Sequence, residues 1–182
     1  MAKYQNKSLN IIAEKYPDID FSDVDGILPI SVGDICDKLN IELMFDKNMN
    51  VDSLGKIACE NDKFIITVND KHSFYNNIFT IAHELGHFAE HYDIVRTKGF
   101  ADRKKTSYTP EELKKETQAN NFAAELLMPE YKFVEEFQIQ NGNLLQLQKI
   151  FGVSLDAIKY RAMNLSLLRI EYGNWNGKRK AS

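Results

Sequence analysis

Between Ser73 and Tyr92 the residues Ile78, Ile81, Ala82, Leu85, Phe88, Ala89 and Tyr92 recur at three- and four-residue intervals. That period belongs to one buried stripe of an α-helix. The same stretch contains His83-Glu84-Leu85-Gly86-His87, an H-E-x-x-H pattern that needs a helix if its two imidazoles are to work together. At about 100° per residue, His87 lies about 40° around the helix from His83 and one turn along. Both rings can then converge on one ion at about 2.0–2.1 Å. Leu85, Ile81 and Phe88 lie about 200°, 160° and 140° from His83, so one face anchors the helix and the other presents ligands. Glu84, about 100° around, flanks the site without competing as a ligand. There a carboxylate can take a proton from metal-bound water. Two histidines four apart are often ordinary polar-face residues. Glu84 between them and the apolar stripe opposite favour the metal reading.

A catalytic zinc usually has three protein ligands and one open position. His91 lies about 12 Å beyond His83 along a straight helix, too far for three imidazoles to share one tetrahedral ion. It is expected beside the site, facing substrate, or exposed. Glu116, 29 residues after His87, is the better third ligand, because it falls on the next long helix. Asn120 lies one turn on from Glu116 and can orient a ligand by hydrogen bonding. Ala119 and Ala123, about 300° and 340° around from Glu116, are small enough for the two helices to approach closely. Leu113, Phe122, Leu126 and Leu127 would pack beside that contact. Glu112 shares the Glu116 face, but Thr109-Pro-Glu-Glu112 reads as a capping box that occupies it. His72, His91, Tyr92 and Tyr108 are the donors available to stabilise an oxyanion, and the sequence does not choose among them.

The remaining elements follow from pattern and punctuation. A helix over Lys3 to Tyr16 is stopped by Pro17, and Ser31-Val-Gly-Asp34 opens a short helix. Strand-type runs occupy Ile41 to Phe45, Lys56 to Cys59 and Phe64 to Val68, the last two joined by the hairpin signal Glu60-Asn61-Asp62-Lys63. Phe64 to Val68 is the expected exposed edge for an extended substrate. Asp93 to Tyr108, with Arg96, Lys98, Arg103, Lys104 and Lys105, reads as a polar loop. The long helix from Thr109 should end near Met128, before Pro129. Three short helices follow over Pro129 to Gln140, Asn143 to Phe151 and Leu155 to Asn164. The final GNWNGKRKAS reads as a frayed basic tail.

Charge narrows the choice of partner. With 23 Lys+Arg against 26 Asp+Glu and a net charge of -3, no global positive field is available to hold phosphates. The segment Leu144 to Leu168 has a helix-turn-helix pattern around Gly152-Val153-Ser154, and Lys159, Arg161 and Arg169 could meet phosphates. Its second helix carries few base-reading side chains. Packing on the core or docking a protein is therefore favoured over direct nucleic-acid binding. Cys36 and Cys59 lack metal or disulfide spacing and are expected as buried thiols. No secretory signal pattern opens the chain and no apolar run reaches membrane-spanning length, so a cytoplasmic location is expected.

The stretch Phe79-Thr-Ile-Ala-His83-Glu84-Leu85-Gly86-His87, together with Glu116-Thr-Gln-Ala119-Asn120-Asn-Phe122-Ala123-Ala124-Glu125-Leu126-Leu127-Met128-Pro129, resembles the ImmA/IrrE family of metallopeptidases. The likeness runs from roughly Ile41 to about Leu165, including the late Phe151-Gly-Val-Ser154, and leaves the first forty residues outside it. It implies one Zn2+ held by His83, His87 and Glu116, with Glu84 as catalytic base. The family often has Glu where Gln118 stands, and this departure removes a competing carboxylate. The resemblance further implies a site-specific protease that cleaves a helix-turn-helix repressor in mobile-element or stress regulation. A non-proteolytic module that binds a repressor or DNA, or a toxin-like component of a two-gene locus, stands as the alternative. The expected fold is α+β: a mainly helical metalloprotease domain with a small N-terminal antiparallel sheet and an HExxH active-site helix. Its expected parts are a helical extension over 1–40, a zincin-like core over 41–140, and a C-terminal helical segment and tail over 141–182 packed on the core.

Overall fold

Most helix starts in this protein are set by side chains that satisfy the open amide donors of a first turn. The computed structural model describes residues 2–103 and 108–168. Over that range the elements run α1 (Lys7–Lys15), α2 (Val32–Lys38), β1 (Ile41–Asp46), β2 (Ser53–Glu60), β3 (Lys63–Asn69), α3 (Phe74–Glu90), α4 (Tyr92–Lys98), β4 (Phe100–Arg103), α5 (Pro110–Leu127), α6 (Glu130–Ile139), α7 (Leu144–Phe151) and α8 (Leu155–Asn164). Asn6, Ser31, Ser73, Thr109, Asn143 and Ser154 each accept a hydrogen bond from an amide of the helix they precede. At α5 the capping box is complete, with Glu112 reaching back to the Thr109 amide at 2.9 Å. That interaction occupies Glu112 as the sequence suggested.

The fold is α+β and mainly helical, and its sheet is mixed rather than purely antiparallel. The strand order is β1-β3-β2-β4. The β2–β3 hairpin is antiparallel as expected, turning through Asn61 and Asp62 at φ of 51° and 61°. But β1 pairs parallel to β3. A parallel pair needs a crossover, and residues 47–62, which include β2 itself, supply it. This arrangement corrects the expectation that Phe64 to Val68 offers an exposed edge. β3 lies at the centre, paired on both sides, with Ile66 and Val68 buried. Among the described residues the edges are β1 and β4. The stretch expected as a polar loop holds α4 and β4, with residues 104–107 outside the described range. Both elements are too short to show a period: α4 buries only Val95, and β4 is fixed by pairing with β2.

The site is positioned by the packing of α3 against α5. Gly86 makes this approach possible. A methyl group there would sit 3.0 Å from the Ala119 Cα, 3.1 Å from its carbonyl oxygen and 3.2 Å from the Phe122 Cβ. Ala119 and Ala123 are fully buried in the same contact, as their size suggested, whereas Leu113, expected on the buried stripe, is exposed. The N-terminal residues brace the pair from behind. Asn6 donates to the Leu126 carbonyl and Ser8 to the Phe122 carbonyl, both at 2.9 Å, while Leu9 and Ile12 enter the common core. The Lys15 ammonium donates to the Ala89 carbonyl, placing a cation at the negative end of α3.

The C-terminal helices are also bound to this frame. Gly152 ends α7 in the left-handed conformation at φ 64°, and Ser154 caps α8. Arg161 is not a phosphate contact: it is buried, its Nε donates to the Met128 carbonyl at 2.9 Å, and its guanidinium pairs with Glu125. Lys159 lies 3.6 Å from Asp156. Arg169 and the basic tail lie outside the described residues. Cys36 is buried and Cys59 half-buried, both as free thiols. Burial pushes the Cys36 thiol up to about 12.

Because the groups facing Gly86 are backbone, they cannot swing aside. Gly86→Ala is expected to lower stability by about 1–3 kcal/mol and to weaken metal retention. Gly33→Ala, whose methyl group would meet only the Ser31 hydroxyl at 4.0 Å, should leave stability equal or slightly higher. Chemical denaturation of both variants tests this, and equal midpoints would show that α5 yields freely.

Candidate metal centre

Helix α3 is buried nearly all round: His83, Glu84 and His87 are inside together with Ile81, Leu85 and Phe88. The face that carries the histidines is covered by α5. From that helix Glu116 points back, bringing three donor atoms together. The His83 and His87 Nε2 atoms are 3.0 Å apart, and Glu116 Oε2 lies 3.3 Å from the first and 3.8 Å from the second. A tetrahedral ion with bonds of about 2.0–2.1 Å spaces its donors about 3.4 Å apart, and the observed spacings straddle that value. Among the described residues this is the group of acidic, histidine or cysteine side chains arranged to hold a metal ion.

The surroundings put His87 and Glu116 in the required protonation state. Burial lowers the pKa of His87, outweighing the pull of Glu116 in the other direction. Burial pushes Glu116 up, but the His83 and His87 rings beside it overcome this and hold the carboxyl at about 2. Near neutral pH the site thus offers His87 as a neutral imidazole and Glu116 as a carboxylate, the forms that bind metals.

Outer partners select the tautomers. The His83 Nδ1–H donates to Asn120 Oδ1 at 3.0 Å, which leaves the Nε2 lone pair facing the centre. Around His87 the constraint is a chain. Gln118 Oε1 lies 3.3 Å from His91 Nε2, and His91 Nδ1 lies 3.4 Å from His87 Nδ1. With the Nε2–H of His91 given to Gln118, its Nδ1 accepts from His87 Nδ1–H, and the Nε2 of His87 faces inward. His91 is therefore beside the site, one of the places its spacing allowed. Phe100 of β4 stacks on the His87 ring, with centroids 4.0 Å apart and planes 8° from parallel.

Glu84 is fully buried on the side of α3 that faces β2. Gly55 of β2 passes so close that a methyl group there would meet Thr80 Cγ2 at 2.5 Å and Glu84 Oε1 at 3.4 Å. The other candidate donors are placed differently. His72 is half-buried, with its Nε2 3.4 Å from the Ser53 carbonyl. Tyr92 packs on Phe64 and Phe88, with centroids 5.3 and 5.7 Å away. Tyr108 is half-buried next to the Thr109 cap. Gly55, Gly86 and Phe100 were not singled out by sequence reasoning. A glycine inside a strand pattern is the one available signal of such a close backbone approach; Phe100 offered none.

An HExxH helix under a small sheet, faced by a carboxylate from the next long helix, defines a metallopeptidase-type domain. The chain belongs to the Peptidase_M78 family: the model of that family's IrrE N-terminal-like domain matches residues 36–163. In fold it is similar to a Mycobacterium tuberculosis transcriptional regulator, with a TM-score of 0.56 and 17% identity over 85% of this chain. It spans 45% of that regulator's length. No curated protein matches the sequence. No described helix is long and apolar enough to cross a membrane.

The lowered pKa of His87 has a measurable consequence. At His87 protons compete with the metal only below the folded-state value, which lies under the ordinary 6.5. Metal affinity should therefore hold steady from about pH 8 to pH 7 and fall only on further acidification. Chelator competition across that range checks it. A steep loss already above pH 7 would contradict the arrangement.

Proposed function

We propose that the chain is a cytoplasmic, zinc-dependent, site-specific endopeptidase, with His83, His87 and Glu116 as zinc ligands and Glu84 as general base. The observation that carries this reading is the convergence of the three donors on α3 and α5, with Glu84 buried alongside. The donor set of two imidazoles and one carboxylate suits zinc. Bound there, the ion would polarise a scissile carbonyl and acidify a water molecule. Glu84 takes the proton of the attacking water and delivers it to the departing amine. Asn120 holds the His83 ring, and Gln118 holds the His87 ring through His91. Phe100 covers one face of His87 and keeps water from it.

An extended peptide can join a free sheet edge. With β3 enclosed, β4 is the edge that reaches the metal centre, since Phe100 stacks on His87. We place the substrate backbone along β4. The proposed substrate is a helix-turn-helix repressor, as the family resemblance implies, and the proposed catalytic core is 41–140.

Glu84→Gln should retain one zinc per chain and the wild-type fold while losing cleavage of a co-purified repressor by roughly 10²–10⁴-fold. Glu116→Ala should lose zinc, measured by elemental analysis of the purified protein. Full zinc occupancy in Glu116→Ala would remove Glu116 from the ligand set. Repressor control that survives intact in Glu84→Gln would make the chain a binding module rather than an enzyme.

A further inference from the structure

Two cavities flank the donor cluster, and they differ in chemistry. One, of about 750 Å³, reaches Glu116 and is lined by charged groups that include Asp93, Lys98, Glu112 and Lys115. The other, of about 600 Å³, lies between α3, α5 and α8 and is walled mainly by Leu54, Phe79, Ala124, Met128, Ala157 and Tyr160. It borders the candidate centre through two residues. Asn120 lines it while holding His83, and Thr80 lines it while packing on the Gly55 backbone beside Glu84.

We propose that this second cavity is the subsite that receives one large apolar side chain of the peptide next to the cleaved bond, with Ala157 and Tyr160 setting the size admitted. The inference rests on the peptidase reading above and names its substrate class. The volume falls within the range of ordinary ligand pockets and takes a leucine or phenylalanine side chain with room for reorientation. Water in such a pocket finds few partners on the apolar walls, so an apolar side chain replaces it favourably. The cavity on the opposite side mixes Ile94, Phe100 and Ala101 with its charged groups, so the gain there is smaller and the preference is stronger on the α8 side.

The wall formed by α8 is firm enough to discriminate. Arg161, adjacent to Tyr160, is anchored to the Met128 carbonyl and to Glu125. Tyr160 itself stands at the rim, 54% exposed. The helix-turn-helix-like segment is thereby given a task in substrate selection, through packing on the catalytic frame.

The test uses full-length, zinc-loaded Glu84→Gln protein, which binds without cutting, and labelled decapeptide pools in which one scanned position is Gly, Ala, Leu, Phe or Trp. Fluorescence anisotropy should show the Leu and Phe pools binding roughly tenfold or more tightly than the Gly pool at one position. Ala157→Phe in the same background should collapse that ratio. Tyr160→Ala, at an exposed position that tolerates change, should widen tolerance toward bulkier side chains. Equal binding of all pools, no binding of any, or a ratio untouched by both substitutions overturns the subsite. Cleavage by the otherwise wild-type chain is scored separately. Apolar-selective binding with no cleavage sinks the peptidase reading and upholds the cavity only as an apolar peptide-binding pocket.

Discussion

The close contact between α3 and α5 governs everything else in this structure. Two helices separated by ordinary side chains could not bring two imidazoles and a carboxylate within one coordination sphere, because the reach of Glu is short. Gly86 removes a side chain from one helix and Ala119 and Ala123 reduce it on the other, so backbone approaches backbone. The rest of the frame holds that approach in place: α1 from behind through Asn6 and Ser8, β2 from above through Gly55, and Lys15 at the far end of α3.

Such closeness has an electrostatic cost, which the local partners offset. Burying histidine and glutamate without compensation would be unfavourable. Here the carboxylate faces two imidazoles, and the outer nitrogens meet Asn120 and the His91–Gln118 chain. Gln118 is thus part of the site's frame. Its amide oxygen accepts from His91 much as a carboxylate oxygen would, without adding a charge that could draw a metal away from Glu116.

The parts of the molecule that were readable beforehand are those whose cause is local. Caps at Ser31 and Thr109, the breaker at Pro129, the stripe of α3 and the hairpin turn at Asn61-Asp62 all act within a few residues. Readings failed where the deciding partner is distant in sequence. The direction of β1 is set by β3 across the crossover, β4 exists through its pairing with β2, and Leu113 is left exposed although its spacing matches the buried stripe. Arg161 is the sharpest instance. A basic residue on a turn-linked helix pair suggests phosphate contact, and only the positions of Glu125 and the Met128 carbonyl, more than thirty residues earlier, show it to be an internal tie.

That tie bears on how α7 and α8 should be understood. A helix pair that reads nucleic acid must present polar side chains outward from its second helix. In this chain the inward side of α8 supplies Ile158, Arg161 and Ala162 to the core, and Ala157 and Tyr160 border the cavity that reaches Asn120. A buried ion pair is a poor source of stability compared with apolar packing, so its value here is better sought in geometry. It fixes the rotation of α8 about its own axis, and that rotation decides whether an alanine or a bulkier neighbour faces the cavity beside the donor cluster. The same contact that removes Arg161 from any phosphate therefore makes α8 a wall of the cavity beside the donor cluster.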